Sequence, residues 1–315
     1  SFASPIVNSL ESSCRQIGRM AKIISGKEVS EEIKQKLKEE VKKLNVKPLL
    51  AIVQVGNRED SNVYIRTKIK FAEEVGAQAK HFKLPKTTTE KELIQQIVDL
   101  NNDDSVHGII VQLPFDSENE IDSVKITNIV SPDKDVDGLS DLNAGKLLHG
   151  QVDGRTCYLP CTPNGCMELI RKAGVEIAGA RAVVLGRSKI VGSPMAQLLI
   201  WNHATVTVIH SKTKNIPAIV READIVVVAI GRANFVKGDW IKPGAVVIDC
   251  GISAVPDASK KSGQRLVGDV DFAECKLVAG AITPVPGGVG PMTVAMLIAN
   301  TVDAAKRHSK NKNED

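Results

Sequence analysis

The stretch Arg181-Ala-Val-Val-Leu-Gly-Arg-Ser-Lys-Ile-Val-Gly-Ser-Pro194 decides the fold. A short apolar, β-rich run at residues 182–185 ends at Gly186, and apolar residues at helical spacing follow from 191 to 201. A buried strand, a glycine turn and a helix start form the unit that holds a dinucleotide pyrophosphate. Glycine lets the backbone approach the anion, and the first helical turn presents free N–H groups. Only Gly186 and Gly192 are present, without the usual G-x-G-x-x-G spacing, so this motif alone is a weak signal.

The next β-rich segment, residues 204–209, indicates which cofactor this unit would take. It ends in the basic sequence 210–214, with no Asp or Glu where an NAD site holds the ribose 2′-hydroxyl. Ser211, Lys212 and the earlier Arg187 instead suit a 2′-phosphate, because a guanidinium forks onto phosphate oxygens. The sequence therefore predicts NADP as the cofactor. The alternative is a basic, solvated loop that binds nothing.

Composition narrows the class of protein. The chain has 315 residues, enough for about two domains, with 43% apolar and 25% charged residues and a net charge of +4. Aromatic residues make up only 3%, which argues against stacking platforms for single-stranded nucleic acid. No apolar run reaches the roughly 18 residues that span a bilayer. The cysteines lack paired C-x-x-C spacing, so we expect reduced thiols and no zinc or other metal site. They are Cys14, Cys157, Cys161, Cys166, Cys250 and Cys275.

The first half of the chain alternates amphipathic helices with apolar strands. This order predicts a parallel sheet with crossover helices. The helices are expected to begin near Ser30 as an N-cap, near Asn62 with an end at Gly76, and near Thr89. The predicted strands are residues 49–55, 79–84 and 108–113.

The segment from Pro160 to Pro163 predicts the boundary with a second α/β domain. A helix over 164–172 and the dinucleotide unit follow, and a last helix over 292–306 is expected to pack back on the first domain before a polar tail. The remaining predicted strands are residues 225–230, 245–249 and 277–282. We expect a cleft between two domains, after a tail or transit-peptide remnant. These segments are 1–22 for the tail, 23–160 with 293–315 for the first domain, and 161–292 for the second.

Polar residues near the ends of the first-domain elements are candidates for chemistry. Tyr64 and Lys68 share a helix face, and a partly buried lysine has a lowered pKa that suits proton transfer. Gln112 ends a buried strand, at the sheet edge where ligands of parallel sheets bind. Asp135 and Asp137 lie in a loop, where carboxylates also commonly cap turns. A surface lysine, a satisfied structural amide and a turn cap are the plainer alternatives.

The densest local signal is Ile282-Thr-Pro-Val-Pro-Gly-Gly-Val-Gly-Pro-Met-Thr293. Three glycines and three prolines fall within residues 284–293 and lead directly into a helix. Glycine supplies unusual backbone conformations and proline fixes others, so this loop is typical of a close approach between backbone and ligand.

Five motifs, taken together and in order, resemble the bifunctional methylenetetrahydrofolate dehydrogenase/methenyltetrahydrofolate cyclohydrolase family. The resemblance covers about residues 24–307 and is far more specific than any one motif. The motifs are Tyr64-Ile-Arg-Thr-Lys68, Val111-Gln-Leu-Pro114, Lys134-Asp-Val-Asp-Gly138, Gly186-Arg-Ser-Lys-Ile-Val-Gly192 and Pro284-Val-Pro-Gly-Gly-Val-Gly-Pro-Met-Thr293. It implies an N-terminal parallel-sheet α/β catalytic domain and a C-terminal Rossmann-like NADP-binding domain.

The resemblance also implies roles for individual residues. Lys68 would transfer protons, Tyr64 would stack on the folate, Gln112 would tune Lys68, and Asp137 would hold the pterin edge. The implied substrate-binding residues are Tyr64, Lys68, Val111, Gln112, Leu113, Asp137, Pro286, Gly287, Gly288, Val289, Gly290, Pro291, Met292 and Thr293. The implied cofactor-binding residues are Gly186, Arg187, Ser188, Ser211, Ile252 and Thr293.

The implied activity is NADP-dependent oxidation of 5,10-methylenetetrahydrofolate followed by hydrolysis to 10-formyltetrahydrofolate. Retained Lys68 and Gln112 argue against a dehydrogenase without cyclohydrolase activity, and a non-enzymatic folate- or nucleotide-binding module is a further alternative. The family resemblance implies a homodimer, and the same unit also occurs in front of a formate–tetrahydrofolate ligase. The cytoplasm is the expected compartment, with the mitochondrial matrix as the alternative.

Overall fold

The computed structural model describes residues 20–152, 156–260 and 263–314, so most of the expected N-terminal tail lies outside the described residues. The described chain forms two compact units. The six-stranded unit comprises residues 20–26, Glu168–Arg187 and Asn202–Val289, and the three-stranded unit comprises Lys27–Met167, Ser188–Trp201 and residues 290–314. Within these ranges, none of the helices combines the length and apolar character needed to cross a bilayer.

Strands and helices are numbered along the chain. The strands are β1 (Lys22–Ile23), β2 (Leu49–Val55), β3 (Gln78–Leu84), β4 (Gly108–Val111), β5 (Arg181–Leu185), β6 (Thr205–Ile209), β7 (Ile225–Val228), β8 (Val246–Asp249), β9 (Ser253–Pro256), β10 (Gln264–Val267) and β11 (Ala281–Ile282). The helices are α1 (Gly26–Val41), α2 (Glu59–Glu74), α3 (Glu90–Asn102), α4 (Ser123–Ile129), α5 (Asp141–Leu148), α6 (Cys161–Ala173), α7 (Gly192–Trp201), α8 (Ile216–Val220), α9 (Phe272–Cys275) and α10 (Val289–Glu314), with a 3-10 turn at Gly238–Trp240.

The three-stranded unit is built on β2, which lies between β3 and β4 with all pairs parallel. Every residue of β2 is buried, which explains why its sequence is apolar except at Gln54, whose amide bonds Asn62 and His81. The predicted parallel sheet is therefore confirmed. Strand β4 ends at Val111, two residues before the predicted end, although Gln112 N still donates to Val53 O at 2.8 Å. Pro114 has no N–H to extend the ladder, so Gln112 lies just beyond the strand.

The six-stranded unit is also a parallel sheet, in the order β1-β11-β8-β7-β5-β6. Its central strands β5, β7 and β8 are buried almost throughout. Lys22 falls in the expected tail, yet it pairs with Ala281 in the edge strand β1. The two-residue pairing extends the sheet with a segment far away in sequence.

Several predicted boundaries are wrong. Helix α1 begins at Gly26, so Ser30 is a buried residue inside the helix and not its N-cap. Helix α6 begins at Cys161, because Pro163 is tolerated in a first turn that needs no donor there. The predicted strand 277–282 is reduced to β11, since turn hydrogen bonds such as Leu277 N to Glu274 O occupy the preceding backbone. Helix α10 runs through the expected polar tail to Glu314.

Candidate active site

The structure places Lys68 and Gln112 in direct contact. Lys68 lies on α2, and its Nζ donates a 2.9 Å hydrogen bond to Gln112 Oε1. Gln112 Nε2 donates to Leu113 O at 2.9 Å, which turns the amide oxygen toward the lysine. Both side chains are partly accessible, at the carboxyl end of the parallel sheet. The predicted helix face and the predicted strand end therefore meet at one point.

Burial and nearby charge act on Lys68 in opposite directions. Burial of the ammonium lowers the pKa of Lys68 below its usual value, and the nearby Asp137 and Cys161 oppose this effect. Burial raises the pKa of the Asp137 carboxyl, and the charge of Lys68 opposes that shift. Both shifts favour the uncharged forms. Lys68 is therefore an amine that can give up its proton more easily than a solvated lysine.

The two loop aspartates have different functions. Asp135 is buried and accepts hydrogen bonds from Ser140 N and Asn143 Nδ2, both at 2.8 Å, and from Leu139 N at 3.3 Å. The turn-cap alternative is therefore correct for Asp135. Asp137 is the aspartate whose charge acts on Lys68.

Cys161 also belongs to this group, although no sequence pattern distinguishes it from the other cysteines. Its side chain is buried at the start of α6, and its Sγ donates to Val136 O at 3.4 Å. Burial, followed by the charge of Asp137, raises the pKa of this thiol well above its usual value. Cys161 is therefore a buried, neutral thiol beside Asp137.

Tyr64 lies one helical turn before Lys68 on α2 and is 42% exposed. Its side chain is therefore accessible to solvent. Val111 is buried in β4, and Leu113 is partly exposed just after it. The sequence placed all three near Lys68, and they lie on the two elements that also carry Lys68 and Gln112.

The proline- and glycine-rich loop has the unusual backbone that its composition predicted. Gly287 has a φ of +101°, and a Cβ on Gly288 would overlap the carbonyl oxygen of Pro284. Pro286 and Gly290 are exposed, whereas Val289 and Met292 point their side chains into the protein. Thr293 is hydrogen-bonded to Thr162, with their Oγ1 atoms 2.9 Å apart. Gly287, Pro291 and Thr293 are partly exposed.

In the six-stranded unit, the candidate cofactor residues Gly186, Arg187 and Ser211 follow the neighbouring strands β5 and β6. Gly186 follows β5 with a φ of +115°, and a Cβ there would overlap the carbonyl oxygen of Ala229. The 2.9 Å hydrogen bond from Gly186 N to Ile209 O continues the parallel pairing of β5 with β6. Arg187 and Ser211 therefore leave the same edge of the sheet, and both are exposed.

Two further candidates flank this edge in sequence. Ile252 follows β8 and is 50% exposed. Ser188 is exposed, and its Oγ accepts from Val191 N at 3.2 Å and Gly192 N at 3.3 Å. Two of the N–H groups expected to be free for an anion are thus already bonded to the Ser188 hydroxyl.

Two family models match the chain. The model described as "Tetrahydrofolate dehydrogenase/cyclohydrolase, catalytic domain" matches residues 24–137. The model described as "Tetrahydrofolate dehydrogenase/cyclohydrolase, NAD(P)-binding domain" matches residues 160–309. Together they account for most of the described chain, and each falls on one of the two predicted types of domain.

Individual proteins show the same similarity. The chain is 63% identical to a cytoplasmic C-1-tetrahydrofolate synthase of Drosophila melanogaster over 91% of this chain, but spans only 30% of that protein. It is 55% identical to bifunctional protein FolD 2 of Arabidopsis thaliana, over 91% of this chain and 96% of that protein.

A solved structure agrees with these relatives. The methylenetetrahydrofolate dehydrogenase-cyclohydrolase (FolD) of Trypanosoma brucei, complexed with NADP cofactor and inhibitor, is 43% identical with a TM-score of 0.86. The alignment covers 93% of this chain and 99% of that one. The chain spans about a third of the length of the C-1-tetrahydrofolate synthases it matches. With both domain models and full-length relatives in agreement, this chain belongs to the tetrahydrofolate dehydrogenase/cyclohydrolase family.

Proposed function

We propose that this chain oxidises 5,10-methylenetetrahydrofolate with NADP and hydrolyses the resulting 5,10-methenyltetrahydrofolate to 10-formyltetrahydrofolate. The observation that carries the proposal is the 2.9 Å hydrogen bond between Lys68 Nζ and Gln112 Oε1, on a lysine with a lowered pKa. A plain dehydrogenase would need no such amine. The family and the bifunctional relatives support both activities.

The oxidation depends on alignment of the reacting carbon with the nicotinamide more than on acid–base catalysis. Bound NADP would supply a nicotinamide ring as the hydride acceptor. Loss of hydride from the one-carbon unit leaves a cation shared by two nitrogens, so the protein has no proton to move in this step. Tyr64 is exposed and lies beside Lys68, so it would stack on the folate and fix the reacting carbon in place.

The hydrolysis requires proton transfer. Water attacks the methenyl carbon, forming a C–O bond while Lys68 in its neutral form accepts a proton from that water. The C–N5 bond then breaks as Lys68 returns that proton to N5, and the remaining hydroxyl proton is released to solvent, leaving the formyl group on N10. Gln112 would hold the amine in line through both steps, because its oxygen accepts from Lys68 in either protonation state.

The residues after β5 and β6 fit a nucleotide with a 2′-phosphate. Gly186 has no Cβ to block the backbone at the end of β5. Arg187 and Ser211 are exposed at the edge of the sheet where β5 and β6 end. We propose that Arg187 and Ser211 hold the 2′-phosphate, as the NADP in the Trypanosoma brucei structure supports for this family. Ser211→Ala should weaken NADP affinity about tenfold, the equivalent of one charge-assisted hydrogen bond, and leave NAD affinity unchanged.

The remaining residue roles stay proposals. Asp137 would hold the pterin edge, and the exposed parts of the loop from Pro286 to Thr293 would line the folate site. Ser188, Ile252 and Thr293 would contact the cofactor. We propose a homodimer, as the family resemblance implies. We also propose a cytoplasmic location, which relatives named cytoplasmic C-1-tetrahydrofolate synthases support at 63% and 56% identity. Those relatives are about three times longer, which supports a ligase segment after this unit in some proteins.

The test measures both activities in Lys68→Met. We expect methenyltetrahydrofolate hydrolysis to fall by about 100-fold or more, in the range of general acid–base contributions, while NADPH formation persists. Lys70→Met is the matched control, because Lys70 lies on the same helix with an exposed side chain. Unchanged hydrolysis in Lys68→Met would rule out the proposed role of Lys68. A wild type that forms NADPH but does not hydrolyse methenyltetrahydrofolate would favour the monofunctional dehydrogenase. Folate binding without NADP reduction by the wild type would favour the non-enzymatic module.

A further inference from the structure

One side chain of α10 contacts both segments that surround Lys68. Asn300 Nδ2 donates to Val136 O at 2.8 Å and to Leu159 O at 3.1 Å, and it lies 3.9 Å from Cys161 Sγ. Val136 immediately precedes Asp137 in the loop. Leu159 precedes Cys161 by two residues, where the chain enters α6. The Asn300 amide therefore links the loop that carries Asp137 to the segment that leads into Cys161. Both of these groups act on Lys68.

The carbonyl oxygen of Val136 also connects the loop directly to the start of α6. Val136 O accepts from Asn300 Nδ2 and from Cys161 Sγ, so the loop and the start of α6 are tied through one oxygen. On its other side the loop is fixed by Asp135, whose buried carboxylate accepts from Ser140 N and Leu139 N. Asp137 is therefore held from two directions, and Asn300 supplies one of them.

We propose that Asn300 is a positioning residue that fixes Asp137 and Cys161 in register with Lys68. The inference rests on the proposed cyclohydrolase activity and extends it to a residue on the last helix. The described contacts of Asn300 are to Val136 O, Leu159 O and Cys161 Sγ, and none is to the Lys68 amine. Asn300 acts because a backbone shift of the loop would move the Asp137 carboxylate relative to the Lys68 ammonium, and proton transfer depends steeply on such geometry.

The charged groups around Lys68 set the direction of a pH effect. Asp137 and Cys161 act on Lys68 directly, Asp135 acts on Asp137, and Gln112 is neutral. Asp137 raises the pKa of Lys68, so a loosened Asp137 would lower it further. The hydrolysis rate, which requires the neutral amine, would then reach its plateau at lower pH, and the plateau itself would be lower because the alignment is lost.

The experiment compares Asn300→Asp with Asn300→Ala. Aspartate keeps the size, removes both N–H donors and sets an anion against two carbonyl oxygens. Alanine removes the contacts without adding charge, and it provides the measurement if the aspartate variant does not fold. We expect the kcat for methenyltetrahydrofolate hydrolysis to fall about tenfold in either folded variant, while kcat for NADPH formation stays within about twofold.

Thr301→Val is the matched control on the same helix. Thr301 is buried, and its Oγ1 donates to Leu297 O within α10, so its loss disturbs the helix without removing either Asn300 hydrogen bond. A parallel loss of both activities in the Asn300 variants would show a merely structural role and overturn the inference. Wild-type hydrolysis and an unshifted pH profile in a folded Asn300 variant would also overturn it. Absence of hydrolysis in the wild type would instead reject the proposed function itself.

Discussion

Replacing Gln112 with glutamate tests whether Lys68 works as a neutral amine. In the wild type, Gln112 Oε1 accepts from Lys68 Nζ at 2.9 Å while Gln112 Nε2 donates to Leu113 O at 2.9 Å. Glutamate has the same size, but a carboxylate would form an ion pair with Lys68 and lose the donor to Leu113. The ion pair favours the charged ammonium and therefore raises the pKa of Lys68, against the lowering that burial causes.

The expected fall in the neutral fraction of Lys68 follows from the charge introduced at its hydrogen-bond partner, residue 112. An opposite charge at hydrogen-bond distance stabilises the charged form of its partner by about 1.4–2.8 kcal/mol. At a fixed pH below the lysine pKa, this lowers the neutral fraction of Lys68 about 10- to 100-fold. We expect hydrolysis at neutral pH to fall by the same factor and its rise with pH to move to higher pH.

The assay follows methenyltetrahydrofolate absorbance across a pH series, with NADPH formation measured in parallel. Gln95→Glu is the control, because Gln95 lies on the exposed face of α3 and bonds only Asp99 among the described contacts. The dehydrogenase rate should change little in either variant, since hydride transfer moves no proton through Lys68. A Gln112→Glu enzyme with the wild-type hydrolysis rate and pH profile would refute a neutral Lys68 as the proton carrier.

Three other predictions concern stability and cofactor binding. Ile52→Ala should cost about 2–5 kcal/mol in urea unfolding, because Ile52 is fully buried in the central strand β2. Thr89→Ala should cost about 0.5–2 kcal/mol in the same assay by breaking the capping box with Glu92. Gly186→Ala should weaken NADP binding in calorimetry and lower the melting temperature, because its φ is +115° and its Cβ would overlap Ala229 O. A wild-type melting temperature for that last variant would show that the strand end has room for a side chain.

The elements that the sequence predicted well are those whose environment is uniform along their length. Strand β2 is buried on both faces, so its residues, apart from Gln54, form one apolar run that needs no knowledge of its neighbours. Helix α2 ends where expected, because Gly76 adopts a φ of +88° that other residues disfavour. The helix that begins after Thr89 was predicted from a local cap, and the capping box confirms it.

The elements that sequence reasoning missed depend on distant partners or are too short for a period. Strand β1 has only two residues and exists because it pairs with β11. Helix α5 buries few of its residues, so its apolar pattern is too sparse to predict a helix, although the Ser140 side chain caps it. The hairpin of β9 with β10 carries mostly exposed residues, and its pattern resembles that of a loop.

The residues of the candidate site also fall into those that sequence reasoning could identify and those that it could not. Lys68 and Gln112 could be found because each lies at a recognisable place, a helix face and a strand end, and the ordered motifs joined them. Cys161 and Asn300 could not, because their contacts cross between segments far apart in sequence. The hydrogen bond from Asn300 to Val136 spans 164 positions, and no local pattern marks Asn300.

A second buried lysine in the same unit shows how the chain tunes one residue type in opposite directions. Burial alone would lower the pKa of Lys34, but hydrogen bonds to Glu31 and Glu74 at 2.8 and 2.7 Å raise it above its usual value. Lys68 has a neutral amide as its hydrogen-bond acceptor, and its acidic neighbour only partly offsets burial. Lys34 is thus held as a permanent cation, whereas Lys68 is positioned without being fixed in its charged state. Burial lowers the pKa of Lys68, and the neutral glutamine at residue 112, unlike a carboxylate, does not reverse that shift.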